Sequence, residues 1–237
     1  VRSGSEQLNV IEVPKIQGSL LPWPQGSIVN TLDNGEQSQL SKLLVKDNDD
    51  GLQTRALLVV RDGSIVSEVY AEGFSPQTPL MGWSMAKALS GIMLGHLVHV
   101  DELAVGEANL FEDWLLDERR NITLHQLLQM SSGLDFSEVY APGSDATRML
   151  FVEASASGVA KASALIHPPG TYFSYSSGTA NLLSEMFVNR TGGTQSAVNV
   201  LYKKILQPMA MAHTTLELDA NGVFMGSSNI YSSTRDW

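Results

Sequence analysis

Ser84 and Lys87 stand three residues apart at the head of Ser84-Met-Ala-Lys-Ala-Leu-Ser-Gly-Ile-Met-Leu-Gly-His-Leu-Val-His99, the most apolar helical run of the chain. Helical residues at that spacing share a face, so the lysine amine can lie over the serine hydroxyl. A serine in the first turn of a helix sits among unpaired N–H groups at the positive end of the dipole, where developing negative charge is favoured. An amine in apolar surroundings is disfavoured in its charged form, which suits it to accept a proton. The pair therefore reads as a nucleophile with its base one turn away.

Ser-x-x-Lys is a short pattern, and about one match is expected by chance in a chain of this composition. Its weight comes from placement. The match is the sole one in the sequence, and it opens the apolar run soon after a hairpin signal. The plain alternative is a capping serine followed by a lysine whose stem lies along an ordinary core helix.

The elements that must position this pair can be read in outline. Residues 1–50 are rich in Gly, Pro, Ser, Asn and Asp and read as an arm that wraps a domain surface, with one short helix at Gln37–Val45. Ala56–Val60 and Ile65–Tyr70 read as strands joined through Arg61-Asp-Gly-Ser64, since Asp-Gly between β-branched runs is a strong hairpin signal. Gly73–Pro79 is a loop that delivers the chain to Ser84. Further helices are expected at Ile122–Met130, Arg148–Ala164, Thr179–Asn189 and Thr194–Leu206, with residues 134–146 as surface loop and a helix starting near Ser232. Two strands make a marginal sheet, so more polypeptide is expected to complete it.

Composition narrows the function classes. The 237 residues are 43% apolar, enough for a substantial core. The longest oily stretch, Ile92–Val100, is too short to span a bilayer and is interrupted by Gly95, His96 and His99. A formal net charge of −10 argues against nucleic acid as a general partner. The absence of cysteine excludes thiolate catalysis and cysteine-ligated zinc. The chain begins with Val and shows no basic-then-apolar leader, so the expectation is a periplasmic or extracytoplasmic bacterial protein whose export signal has been removed, with a cytoplasmic location as the alternative.

With Ser84-Met-Ala-Lys87 and Tyr175-Ser-Ser177 both placed, the sequence resembles the serine β-lactamase and penicillin-binding-protein superfamily, on the branch of class C β-lactamases and related esterases, peptidases and 6-aminohexanoate-dimer hydrolases. The Asp62-Gly63 hairpin, Thr123–Gly133, Pro169-Gly170 and Leu206–Met211 match in the same order, so the resemblance runs from about Leu57 to Trp237. It implies an α/β (α+β) fold with an antiparallel sheet flanked by helices and an all-helical subdomain. Residues 51–100 would form the first part of the α/β domain, 101–225 the helical subdomain, and 226–237 the return to the sheet, with C-terminal strands missing from this chain.

The resemblance assigns nucleophilic attack on an acyl carbonyl to Ser84, proton removal to Lys87, and a proton shuttle serving the leaving group and the deacylating water to Tyr175. Ser177, Trp83 and Tyr140 are the expected substrate-binding residues. No cofactor is expected, and the implied substrate is a small ester or amide. Two departures stand out. Ser177 occupies a position that often holds Asn, and a hydroxyl offers one donor where an amide offers two. The third motif, a Lys/His-Thr/Ser-Gly strand that lends one oxyanion-hole N–H, is missing; loss of such a donor costs about 3 kcal/mol of transition-state stabilisation.

Three other readings compete. Gly82-Trp-Ser-Met-Ala86 nearly fits the nucleophile elbow of α/β-hydrolases, which needs a strand running into Ser84 and a later Asp and His. A non-catalytic family member that binds peptidoglycan or a protein partner is the second. Metal catalysis is the third: His96 and His99 lie three apart, yet no acidic partner follows at ligand spacing, and they read as core histidines. His125 and His167 read as surface or supporting groups, and Glu138, Tyr140 and Asp145 lie in a loop at the rim of the cleft that either shapes substrate choice or, as the plainer reading, is simply solvated.

Overall fold

The hairpin comes first in the architecture because its turn chemistry is local. In the computed structural model, which describes residues 10–29 and 35–237, β1 (Ala56–Arg61) and β2 (Ser64–Tyr70) pair antiparallel with Arg61 opposite Ser64. Asp62 and Gly63 both have positive φ, 50° and 72°, the left-handed pair that a two-residue hairpin loop demands. A bulge between Val59 and Val60 shifts the register.

Helix α1 (Glu36–Asp49) packs on this hairpin and is longer than the Gln37–Val45 segment expected from the sequence, so the last third of the supposed arm is regular structure. Its first turn also covers one sheet edge. The Gln37 amide donates to Glu68 O at 2.6 Å and accepts from Glu68 N at 3.2 Å and Ser67 Oγ at 2.8 Å, standing in for a neighbouring strand. Among the described residues the outer edge of β1 has no backbone partner, and Val59 and Val60 are exposed.

A second sheet was not foreseen. β3 (Leu80–Met81), β4 (Thr215–Leu216) and β5 (Ile230–Ser232) form a short antiparallel sheet in the order β3-β5-β4. Runs of two or three residues carry no readable period, which is why the stretch before Ser84 read as loop and residues 101–225 as wholly helical. The expected helix near Ser232 is instead β5 followed by a turn at 234–236.

Helix α2 (Ala86–His99) buries Ala86, Leu89, Met93, Leu94 and Leu97 against α6 (Ser177–Arg190). It stops where Asp101 takes a left-handed φ of 59°. Helix α3 is only Leu124–Leu128, fixed by a capping box between Thr123 and Gln126. The segment read as one helix at Arg148–Ala164 is two, α4 (Asp145–Phe151) and α5 (Ala156–Ala162), because Ser155 starts a new helix by accepting from Gly158 N. Helix α7 (Thr194–Val200) continues as a π-helical stretch, Leu201–Leu206. Trp114, Phe187, Phe224, Leu182 and Leu201 lie at the centre of one core that joins the helices to α2 and β5.

No helix among the described residues is long and apolar enough to cross a membrane.

Candidate active site

Ser84 lies in a single 3-10 turn, Trp83–Met85, that runs directly into α2. Three contacts hold this turn. Gly82 N donates to Ile230 O of β5 at 2.8 Å, Met85 N donates to Gly82 O at 3.0 Å, and the Trp237 ring fills the space a side chain on Gly82 would need. Glycine is therefore required at position 82 by close approach. Trp83 sits in the left-handed region at φ 45°, a strained setting for a bulky residue that the bonds on either side of it maintain. Ser84 itself is exposed.

Lys87 Nζ donates to Ser84 Oγ at 3.1 Å, the contact expected from their spacing. Its other two donors go to Ser177 Oγ at 3.1 Å and Ser227 O at 2.9 Å. Three oxygens thus surround the amine, and none is a carboxylate. The Tyr175 ring covers a further side, with its centroid 4.9 Å from Nζ. The Tyr175 hydroxyl makes no hydrogen bond among the described residues, so the aromatic face, rather than the phenol oxygen, meets the lysine.

Ser177 is the first residue of α6 and is buried. Ser176 caps this helix by accepting from Thr179 N at 3.0 Å, which is why the helix begins two residues earlier than Thr179. Glu138 completes the cap: its Oε2 accepts from Ser177 N at 2.7 Å and its Oε1 from Ser177 Oγ at 2.5 Å. Tyr140 donates to the same carboxylate at 3.0 Å. Partial desolvation, with the Glu138 charge, pushes the Tyr140 phenol above its ordinary value against a lowering contact with Ser177.

Of the six residues singled out from the sequence, Ser84, Lys87, Tyr175 and Ser177 converge directly. Tyr140 joins through Glu138. Trp83 flanks Ser84 in the chain, and its half-exposed indole makes no ring contact with the others. Two participants were missed. Glu138 read as solvated loop because nothing local distinguishes a capping carboxylate from a surface one. Ser227 contributes a backbone carbonyl, which no side-chain pattern can announce. Its segment is held by buried polar groups of both helices: Asn181 Oδ1 accepts from Ser227 N at 3.0 Å, and Ser90 Oγ donates to Gly226 O at 2.9 Å.

The histidines are elsewhere. His99 and His125 are exposed and His96 and His167 partly so, which corrects the reading of His96 and His99 as core residues. A cavity of about 560 Å³, lined among others by Trp23, Met209, His213 and Trp237, does not include Ser84, Lys87 or Tyr175.

The β-lactamase family model matches residues 40–236. No curated protein matches the sequence. Among solved structures, a protein named as a 6-aminohexanoate-dimer hydrolase from Bacillus anthracis superposes with a TM-score of 0.73 at 19% identity, covering 95% of this chain and 63% of that one. A penicillin-binding protein from Bacillus halodurans gives 0.63 at 17% identity, covering 83% and 71%. A class C β-lactamase gives 0.61 at 12% identity, covering 87% and 65%. The chain thus spans less than two thirds of the first of these relatives, and at such identities the likeness speaks to the fold. A family match over most of the sequence and the mixed helical and antiparallel architecture agree: the chain belongs to the β-lactamase family.

Proposed function

We propose that this chain carries the acylation machinery of a serine hydrolase that cleaves a small ester or amide through an acyl-enzyme on Ser84. The observation that carries the reading is the 3.1 Å contact between Ser84 Oγ and Lys87 Nζ at the start of α2, in a setting where Ser177 and Tyr175 flank the same amine. Lys87 serves as the base that takes the Ser84 proton, and Tyr175 relays a proton to the leaving group. Ser177, Trp83 and Tyr140 bind substrate. Ser177 supplies one hydroxyl already engaged with Glu138 and Lys87, which leaves little to grip the side-chain amide of a β-lactam and favours esters or simple amides.

Among the described residues the outer edge of β1 has no backbone partner, and this edge, with Val59 and Val60 exposed on it, supports a sheet that continues with a C-terminal segment. That segment would line the site and supply the second oxyanion donor. An extracytoplasmic location in a bacterium belongs to the same proposal. Chromogenic esters, a chromogenic cephalosporin and a D-Ala-D-Ala peptide offered to the full-length protein test the activity. Turnover of the ester, lost in Ser84→Ala, is the expected result; turnover retained in that variant would refute it.

One observation favours a second reading. No Lys/His-Thr/Ser-Gly sequence occurs in the 237 residues, which suits a non-catalytic member that binds peptidoglycan or a protein partner. Such a protein would leave a serine-directed acylating probe unreacted.

A further inference from the structure

Glu138 bonds to Ser177 twice, and the direction of those bonds has consequences for the amine beyond it. An ionised carboxylate can only accept. Ser177 has a single hydroxyl proton, and with Glu138 Oε1 at 2.5 Å that proton is committed to the carboxylate. What Ser177 Oγ presents to Lys87 at 3.1 Å is then a lone pair. Ser227 O, at 2.9 Å from the same nitrogen, is a carbonyl and also can only accept.

We propose that Glu138 is a positioning residue that fixes the direction of the Ser84–Lys87–Ser177 hydrogen-bond chain. With two obligate acceptors beside it, a neutral Lys87 must spend both of its N–H bonds on Ser177 Oγ and Ser227 O. Its lone pair is left facing Ser84 Oγ, which is the arrangement a base needs. The inference rests on the acylation of Ser84 proposed above. As the Ser84 Oγ–acyl carbon bond forms, the Ser84 proton passes to Nζ, giving an ammonium whose three N–H bonds meet three oxygens. When the bond to the leaving group breaks, Tyr175 gives that group its phenol proton and recovers one from Nζ, and the amine returns to its oriented neutral form. In deacylation a water gives its proton to Nζ as its oxygen bonds to the acyl carbon. Ser84 Oγ then leaves and recovers that proton.

The same accounting identifies the informative variant. In Glu138→Gln the side-chain amide has one acceptor, and the Ser177 backbone N–H requires it. The NH₂ group is left against Ser177 Oγ, which must accept it and turn its own proton towards Lys87. The lone pair of the lysine is then occupied, and the base is lost while the cap on α6 survives. Tyr140, which donates to Oε1 in the native protein, turns that proton in the variant to Ser177 Oγ, the hydroxyl it already contacts, and stays in place.

The test measures phosphonylation of Ser84 by a fluorophosphonate probe in the full-length protein, separating the maximal rate of inactivation from the half-saturating probe concentration across neutral to alkaline pH. Glu138→Gln is expected to lower the maximal rate about a hundredfold, to displace its pH profile, and to leave half-saturation and the thermal midpoint unchanged. In a Ser177→Ala background the same substitution should change the rate by less than about twofold, because the residue acts through that hydroxyl. A wild-type rate in Glu138→Gln, or an equal loss with and without the Ser177 hydroxyl, would overturn the proposal. Neutron diffraction from wild-type crystals decides it without any reaction. The Ser177 hydroxyl deuterium should point to Glu138, and a deuterium pointing to Lys87 would overturn the assignment. A wild-type protein inert to the probe would instead overturn the proposed hydrolase function, leaving the neutron result to judge Glu138.

Discussion

Lys87 Nζ donates to the carbonyl of Ser227 across 140 residues of sequence, at 2.9 Å. The carbonyl is in reach because Gly226 passes between two buried hydroxyls, those of Ser90 on α2 and Ser184 on α6, where any Cβ would overlap both oxygens. The amine proposed as the base is therefore oriented by a backbone segment whose path only glycine permits.

Gly226→Ala should cost about 1 to 3 kcal/mol of stability, the usual penalty for forcing an extra carbon into a packed interior. It should also slow probe labelling of Ser84, because the 226–227 backbone must retreat from Lys87. Urea denaturation and labelling rates measured together check this. Unchanged stability and unchanged labelling would show that the carbonyl does not hold the amine.

How much of this was legible follows from the kind of signal each part emits. Asp62-Gly63, the apolar run after Ser84 and the Gly192-Gly193 stop of α6 are local, and the structure puts the hairpin, α2 and α6 where those signals lie. The split between α4 and α5 was overlooked because Ser155 caps a helix by a contact that a serine inside a helix would not make. β3, β4 and β5 are defined by distant partners, and two or three residues cannot display alternation. Within the site, the Ser84–Lys87 pair is one helical turn and was readable. Glu138 and the Ser227 carbonyl arrive by tertiary packing from 39 and 140 residues away from their partners, and neither is marked by residue type.

Arg235 and Glu68 tie the turn after β5 to the first sheet. Arg235 Nε donates to Glu68 Oε2 at 2.8 Å, its NH2 group donates to Oε1, and both side chains are largely buried. Tyr70 donates to the same carboxylate at 2.8 Å, and burial with that charge pushes its phenol well above the ordinary value. Arg235→Met should cost about 3 kcal/mol, since Glu68 is left as a buried charge short of its main partner. Adding Glu68→Gln should recover part of that loss. A double-mutant cycle on urea midpoints measures it, and purely additive losses would contradict the pairing.

His96 gives the stability a pH dependence of known sign. Burial first, then His99 and Lys204, hold its folded pKa below the ordinary value of 6.5. Between the folded value and 6.5 the unfolded chain binds more protons than the folded one, so stability rises with pH across that window and the gain is complete above 6.5. His96→Gln should flatten the rise. The His96 imidazole resonance, followed by NMR, should titrate below 6.5, and a midpoint above that value would reverse the sign.

The most direct measurement is peptide mapping by mass spectrometry after the full-length protein has been exposed to a serine-directed acylating probe. The account predicts one adduct, carried by the peptide that contains Ser84, and its disappearance in Lys87→Ala as well as in Ser84→Ala. An adduct on another residue, or labelling of Ser84 at an undiminished rate without the Lys87 amine, would contradict it.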